Sequence, residues 1–579
     1  MNSSSVASTE QHMMDSEIQT DSTSPDDGTP SIFSKSIQPV TLKFEEVVYK
    51  IKIKNVGMIG GMLWPKTKEE TEKVILKGVI GMAEPGEILA MLGPSGSGKT
   101  TLLTALGGRL SGQLAGTITY NGKTISNAMK RNTGFVSQDN FLYPHLTVTE
   151  TLVFTALLRL PNTLTKEEKA SQAESVLAQL GLSQCRNSII GHEFLRGVSG
   201  GERRRVSIGQ ELLLNPSLLL LDEPTSGLDS TTARMIVTTL SELASGGRTI
   251  VMTIHQPSSK LFYMFHKLLL LSEGNALYFG KVSAVMDYFS DIGFSPSVPM
   301  NPADFLLDLA NGLTRDGEDA NESIDDHMQS IVVAYRGRLS EKLKAELAED
   351  KLSDGAEDNT KQEFGRWPTT WWQQFSVLLR RGVKERKHGS FALLKIIEVL
   401  AVSLLTALLW WKSHISHLQD QIGIFFFMCG FWGFFPLLDA IATFPPEHKM
   451  LEKERSSGTY RLSSYFMSRI VSDLPMELVL PTLFLTITYW CTGLKPTVGH
   501  FLHALLVLLL SVSVAQGLGL ALGALVMDHE LAMTLGTVFM LSFQLVGGFF
   551  VEDRTTFEHL RHSVGLRERS VAFNTETVQ

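Results

Sequence analysis

Between residues 391 and 551 the chain is almost wholly apolar, and that stretch limits the folds open to it. Lipid offers no partner for backbone N–H and C=O groups, so long apolar runs of this kind are read as helices, which satisfy their own backbone. Each run is about 20 residues, the length that a hydrocarbon core requires. Five spans are expected, at about 391–411, 421–442, 473–491, 501–525 and 531–551. Cytosolic connections carry an excess of Lys and Arg. Arg380, Arg381, Lys384, Arg386 and Lys387 precede the first span, and the 443–472 connection holds Lys449, Lys453, Arg455, Arg461 and Arg469. The 412–420 and 492–500 connections hold Lys412 and Lys495 alone. The N-terminal half is therefore expected in the cytosol. After Val551 come 28 polar residues, 552–579, with no sixth apolar stretch. Five spans would leave this Arg-containing tail outside, against the same charge rule.

The remaining organisation follows from composition. A length of 579 residues suggests two to four domains. A mean hydropathy of +0.07 averages two unlike halves. The net charge of −8, from 52 basic and 60 acidic residues, argues against an electrostatic binder of nucleic acid. Cys185, Cys429 and Cys491 lie too far apart in sequence for a disulfide scaffold or a zinc cluster to be expected. The first 40 residues lack an apolar h-region, so no cleaved signal peptide is expected. Residues 1–38 read as a disordered polar tail, and 39–311 as alternating strands and helices. Residues 312–365 read as an acidic, solvated linker with helical patches. Residues 366–388, with Trp371, Trp372 and a basic end, form an amphipathic helix; it either lies at the membrane interface or covers an ordinary surface. Residues 389–551 form the membrane domain and 552–579 a polar tail.

The chemistry is carried by the soluble half. Gly93-Pro94-Ser95-Gly96-Ser97-Gly98-Lys99-Thr100, followed by Thr101, matches GxxxxGK[ST] between a strand-like run and a helical run. Glycines let backbone N–H groups turn towards phosphate oxygens, and the following helix adds partial positive charge. Lys99 would neutralise the β- and γ-phosphates and Thr100 would hold Mg²⁺. The run LLLLDE at 218–223 is a buried-strand pattern ending in two acids. Asp222 would bind Mg²⁺ and Glu223 would polarise the attacking water. His255 closes the run RTIVMTIH, where a strand end beside a nucleotide could reach the γ-phosphate. Gln138, in GFVSQDN, could sense Mg²⁺. VSGGERRR at 198–205 places a second Gly-rich nest at a helix start, and SGLD follows at 226–229.

Taken in this order, the motifs resemble an ABC-type ATPase. The resemblance makes Gly93–Thr100 the Walker A loop and Gln138 the Q-loop. It makes Val198–Glu202 the signature, with Ser199, Gly200, Gly201 and Glu202 facing nucleotide. Asp222 and Glu223 become Walker B and the catalytic glutamate, Asp229 the D-loop acid and His255 the switch histidine. Tyr49 is a candidate for adenine stacking. The ATPase-first order, NPADF at 301–305 and ERSSGTYRLSSYF at 454–466 resemble the G subfamily of white–brown complex half-transporters. TLKFEEVVYK at 41–50, TGFVSQDNFLYPHLTV and DEPTSGLDSTTA look especially like its plant members.

That family implies an α/β P-loop ATPase domain followed by an all-α membrane domain, with six spans where five are visible here. ATP and Mg²⁺ are the implied cofactors. A second copy, or another half-transporter of the subfamily, is the implied partner, with Ser199 and Gly201 completing the partner's site. The implied activity is ATP-driven export of a lipid-like or amphipathic small molecule: a sterol, a wax, cutin or suberin precursor, or an isoprenoid-type hormone. The plasma membrane is the expected location. The alternative is a truncated, non-transporting subunit that damps a full-length partner. Residues 446–466, with Glu454 and Arg455, would carry motion to the membrane. Phe431 and Phe435 share a helix face that either lines a central cavity or packs against lipid and neighbours. Phe549 and Phe550 fall where the family keeps an outer valve. Lys395, Glu398 and Asp439 are expected to snorkel to the cytosolic surface.

Overall fold

The apolar runs that precede the motifs become the central strands of one sheet. A computed structural model describes residues 38–53, 56–59, 62–65, 71–192, 195–296, 298–312, 324–353, 367–390, 393–411, 413 and 418–546. Its first strands are β1 (Leu42–Ile53), β2 (Val56–Ile59), β3 (Met62–Pro65) and β4 (Thr71–Ala83). β5 (Ile88–Leu92) leads into α1 (Lys99–Leu106), followed by β6 (Gln113–Tyr120), β7 (Lys123–Thr124), α2 (Asn127–Asn132) and β8 (Gly134–Val136). A helical section holds α3 (Val148–Arg159), α4 (Lys166–Gln179) and α5 (Gly200–Leu212). Then come β9 (Leu218–Leu221), α6 (Ser230–Ser245), β10 (Thr249–Thr253), α7 (Ser259–Phe262), β11 (Lys267–Ser272), β12 (Asn275–Lys281), α8 (Val285–Asp291) and α9 (Pro302–Ala310).

The central sheet has the order β12-β11-β5-β10-β9-β8, parallel except for β12. Its strands feed two cores because successive side chains point to opposite faces. Ile88, Ala90 and Leu92 enter one core, and Leu89 and Met91 the other. β9 divides in the same way, Leu219 and Leu221 against Leu218 and Leu220. This double burial explains why the runs read as unbroken Leu, Ile and Val. The antiparallel sheet β4-β1-β6-β7 covers the second core.

The acidic 312–365 segment departs from the expectation of a solvated linker. Its described part is α10 (Ile324–Ala334), a π-helical turn at Tyr335–Ser340, and α11 (Glu341–Ser353). Ile331, Tyr335, Leu343 and Leu347 are buried in the ATPase cores. The acidic residues dominate the composition, yet an apolar stripe at helical spacing decides the packing. Residues 1–37 and 547–579 lie outside the described residues, and with them the N-terminal tail, the C-terminal tail, Phe549 and Phe550.

The second half is helical: α12 (Trp371–Ser390), α13 (Leu393–Leu409), α14 (Leu418–Ser456), α15 (Leu462–Cys491), α16 (Val498–Val526) and α17 (His529–Val546). Among the described residues, four helices are long and apolar enough to cross a membrane: Gln419–Pro445, Leu462–Cys491, Val498–Val526 and His529–Val546. The first expected span corresponds to α13, whose 17 residues reach about 26 Å. The expected 443–472 connection is largely helix, because α14 runs 39 residues without a break to Ser456. α14, α16 and α17 approach closely through small residues. A Cβ on Gly519 would stand 2.4 Å from the Leu437 carbonyl oxygen, and one on Gly536 2.5 Å from Ile441 Cδ1. Without a hydrophobic drive between helices in lipid, such close packing holds them together. Lys395 and Asp439 do not act separately, because they pair across α13 and α14 at 2.6 Å.

Candidate functional site

The P-loop connects the buried end of β5 to α1. Gly93 turns at φ 154°, and a Cβ there would stand 2.1 Å from the Leu271 carbonyl oxygen. Gly98 caps α1 at φ 100°, in the left-handed region that glycine alone adopts without strain. Lys99 Nζ donates to the Gly93 and Pro94 carbonyls at 2.7 and 2.8 Å. Burial lowers its pKa, against the pull of Glu223 and Asp222. Ser97 is buried and its Oγ has no hydrogen-bond partner among the described residues. An orphaned hydroxyl in a glycine nest, beside an ammonium, is a cradle suited to phosphate oxygens.

Three other segments converge at the carboxyl ends of the neighbouring strands, where open α/β sheets bind ligands. The Asp222 carboxylate accepts from Thr100 Oγ1 at 3.1 Å and from Thr253 Oγ1 at 2.6 Å. Burial raises the Asp222 pKa and these hydroxyls oppose it. Thr253 in turn accepts from the Glu223 N–H at 2.7 Å. Gln138 Nε2 donates to Glu223 Oε2 at 3.0 Å. Thus Thr100, Asp222, Glu223 and Gln138 form one connected chain. Its hard oxygen donors beside a phosphate loop suit Mg²⁺. Glu223 sits at φ 45° and Gln256 at φ 31°. Such backbone costs about 1–3 kcal/mol and persists where neighbours over-determine it.

Arg204 was not singled out by motif reading, yet it locks this arrangement. From α5 it donates to the Ser137 carbonyl at 2.6 Å, the Gln138 carbonyl at 3.0 Å, Asn140 Oδ1 at 3.1 Å and the Asp222 carbonyl. Burial pushes its pKa down to about 10 despite the nearby Asp222 and Glu223. Thr253 was missed as well. Its signal is a hydroxyl interrupting an otherwise apolar strand two residues before His255. His255 itself is exposed and lies beyond the end of β10, not on it.

The signature residues take local roles at the start of α5. Ser199 caps the helix by accepting from the Glu202 N–H at 3.3 Å, and Glu202 accepts from the Ser199 N–H at 2.8 Å. This reciprocal box leaves Glu202 turned towards its own helix rather than outward. Gly201 packs against α6, where a Cβ would meet Thr232 Cγ2 at 2.5 Å. Asp229 caps α6 through the Thr232 N–H at 3.0 Å. Bonds from Thr231 and Thr232 hold its carboxyl well below the usual range. Tyr49 does not stand free for an adenine ring. It is buried in the core between β4 and β6, its hydroxyl bound to the Ser111 carbonyl at 2.9 Å.

The site joins the membrane half through α12 and the end of α14. Arg381 holds Glu454 in a two-point pair at 2.6 and 2.9 Å and reaches the Tyr143 hydroxyl at 3.1 Å. The Glu385 carboxylate accepts from the His145 N–H at 3.2 Å, and burial pushes its pKa up to about 7. Lys384 pairs with Glu150 at the start of α3. Glu454 therefore faces the ATPase domain, while Arg455 is exposed. Of the basic residues of α12, Arg381 and Arg386 pack against protein, whereas Arg380, Lys384 and Lys387 are exposed.

Comparisons with known proteins agree with both halves. Residues 76–226 match the family model for ABC transporters, and residues 373–557 match that for ABC-2 type transporters. The chain is 56% identical over 537 residues to ABC transporter G family member 21 of Arabidopsis thaliana, covering 90% of this chain and 80% of the relative. It is 56% identical over 529 residues to G family member 14 of the same plant, covering 90% and 81%. It is 35% identical over 549 residues to the broad substrate specificity ATP-binding cassette transporter ABCG2 of Bos taurus, covering 89% and 82%.

Proposed function

The chain belongs to the ABC transporter G family, and from that premise we propose that it is one half of a dimeric exporter of a lipid-like or amphipathic small molecule. As a member it is an integral membrane protein whose ATPase domain couples ATP hydrolysis to transport. The observation that supports the ATPase part of this reading is the connected chain Thr100–Asp222–Thr253–Glu223–Gln138 at the sheet's carboxyl edge. Lys99 and the Gly93–Gly98 backbone bind the phosphates of ATP. Thr100 and Asp222 would hold Mg²⁺, with Gln138 beside them. An ion held there would supply positive charge against the negative charge that develops on phosphoryl transfer. Glu223 orients and polarises the attacking water, and Thr253 fixes its backbone. His255, beyond β10, closes on the γ-phosphate.

The partner is a second copy or another half-transporter of the family. Ser199 and Gly201, with the N–H groups at the start of α5, complete the partner's site, and Glu202 shapes that turn. Asp229 acts at the same junction. Residues 446–466 pass the movement to the membrane half, with the ATPase domain in the cytosol and the plasma membrane as the location. Phe435 is exposed and meets Phe431 at 4.7 Å, which itself stacks on Phe484 at 5.8 Å. This aromatic face suits a flat apolar cargo.

The test is Mg²⁺-dependent ATP hydrolysis by the full chain in lipid nanodiscs, beside a Glu223→Gln control. Hydrolysis that disappears in the control supports the reading, and stimulation by a sterol or acyl lipid would then identify cargo class. Hydrolysis that persists in the control removes Glu223 from its role.

A further inference from the structure

Three pieces of the nucleotide-site region meet at the cytosolic end of α14. Lys453 Nζ donates to the Phe141 carbonyl at 3.1 Å and to Gln210 Oε1 at 3.1 Å. Phe141 lies three residues after Gln138, whose amide bonds Glu223. Gln210 lies on α5, the helix that Ser199 caps, about 16 Å along its axis from the cap. Gln210 also donates to Thr155 of α3 at 3.2 Å. About one turn further on, Arg109 donates to the hydroxyls of Ser456, the last residue of α14, and of Ser457 just beyond it at 2.9 and 3.3 Å. Arg109 follows α1, the helix that opens with Lys99.

An ammonium offers three donors and no acceptor, so two fixed acceptors on separate elements make it a spacer between them. Lys453 sits on a third element that continues unbroken into the membrane. We propose that Lys453 is a positioning residue that makes movement of α14 conditional on the Gln138 segment and α5 standing together. This rests on the proposed coupling role of residues 446–466. In the proposed dimer, Gln138 follows the chain's own nucleotide and α5 follows the partner's. Lys453 then ties α14 to both sites at once. Neither acceptor is part of the reacting group, so removing the ammonium uncouples the halves without disabling hydrolysis.

The test uses the full chain in lipid nanodiscs with a bimane label on Cys429, which is exposed on the membrane part of α14. Cys185→Ala and Cys491→Ser make the label unique. Hydrolysis and the ATP-driven change in bimane fluorescence are recorded together. Lys453→Met is expected to keep hydrolysis within about threefold while the fluorescence change falls about tenfold, within the usual range of coupling between sites. Exchange of the two partners, Lys453→Gln with Gln210→Lys, is expected to restore it. A merely structural lysine would lower both readouts together, and that result overturns the inference. A full fluorescence change in Lys453→Met also overturns it while leaving the transport reading intact. An unsubstituted chain that hydrolyses ATP with no fluorescence change removes both the coupling role of 446–466 and this inference.

Discussion

Glu223 pairs a left-handed backbone, φ 45°, with a carboxylate held by Gln138 and an N–H held by Thr253. Glu223→Gln keeps this geometry and removes the carboxylate proposed as the base. Hydrolysis should fall at least about 100-fold, the scale of general-base catalysis, while binding of a fluorescent ATP analogue is kept. Equal turnover in the two proteins would reject the role. Arg204 is a different kind of residue, because it touches carbonyl groups and no expected ligand atom. Arg204→Met leaves the Ser137, Gln138 and Asp222 carbonyls short of a partner at about 1–3 kcal/mol each where buried. The ATPase domain should melt earlier and ATP affinity should fall with it, both readable in one thermal-shift titration. A normal melting temperature would deny Arg204 its locking role. Glu223 was legible because its spacing after LLLLD is local. Arg204 was not, because its acceptors lie 64–67 residues away along the chain, apart from the Asp222 carbonyl.

At the scale of elements, α3 and α5 are joined by the buried pair Arg159–Glu211, at 2.9 Å. Burial alone would raise the Glu211 pKa, but Arg159 and Arg109 outweigh it, so the carboxyl lies below its usual 4.5. A lowered pKa means that the folded state binds the proton less well than the unfolded state. Its stabilisation is present above pH 4.5 and fades as pH falls towards the folded value. Glu211→Gln should therefore flatten the acid limb of a melting-temperature profile taken below that pH, and an unaltered limb would refute this. In the membrane half, α16 approaches α14 through Gly519. Gly519→Val would drive a branched side chain into the Leu437 carbonyl, 2.4 Å from the Cβ position. Overpacking of this kind costs about 1–3 kcal/mol or more. The protein should lose its monodisperse peak in detergent, whereas Gly517→Ala, with open space around its Cβ position, should not.

Across the whole molecule, Arg381 joins the two halves, since it binds Glu454 of α14 and Tyr143 of the ATPase domain. The nearby carboxylate and phenols hold its guanidinium firmly charged although it is buried. Arg381→Ala would leave Glu454 buried without its cation, a loss of about 3–5 kcal/mol. Thermal inactivation of hydrolysis in nanodiscs should move to lower temperature, and Arg381→Ala with Glu454→Gln should recover part of it. If the double substitution is as weak as the single one, the pair is not the source of the loss.

What the sequence determined by itself was the order of parts and the identity of the phosphate loop. Both depend on contiguous patterns: apolar runs of spanning length, and GxxxxGKT between a strand and a helix. Hydropathy also marked the continuous strands, since sheets covered on both faces need apolar residues at every position. Only the tertiary structure decided what contiguous patterns leave open. It buried Tyr49, turned Glu202 back onto its own helix and packed the acidic 324–353 segment into the ATPase cores. It also continued α14 through a stretch read as a connection and brought Lys453 to Phe141 and Gln210. The physical reason is range. Capping, helix periodicity and the phosphate nest act within a few residues, whereas burial and ion pairing depend on which distant surfaces meet.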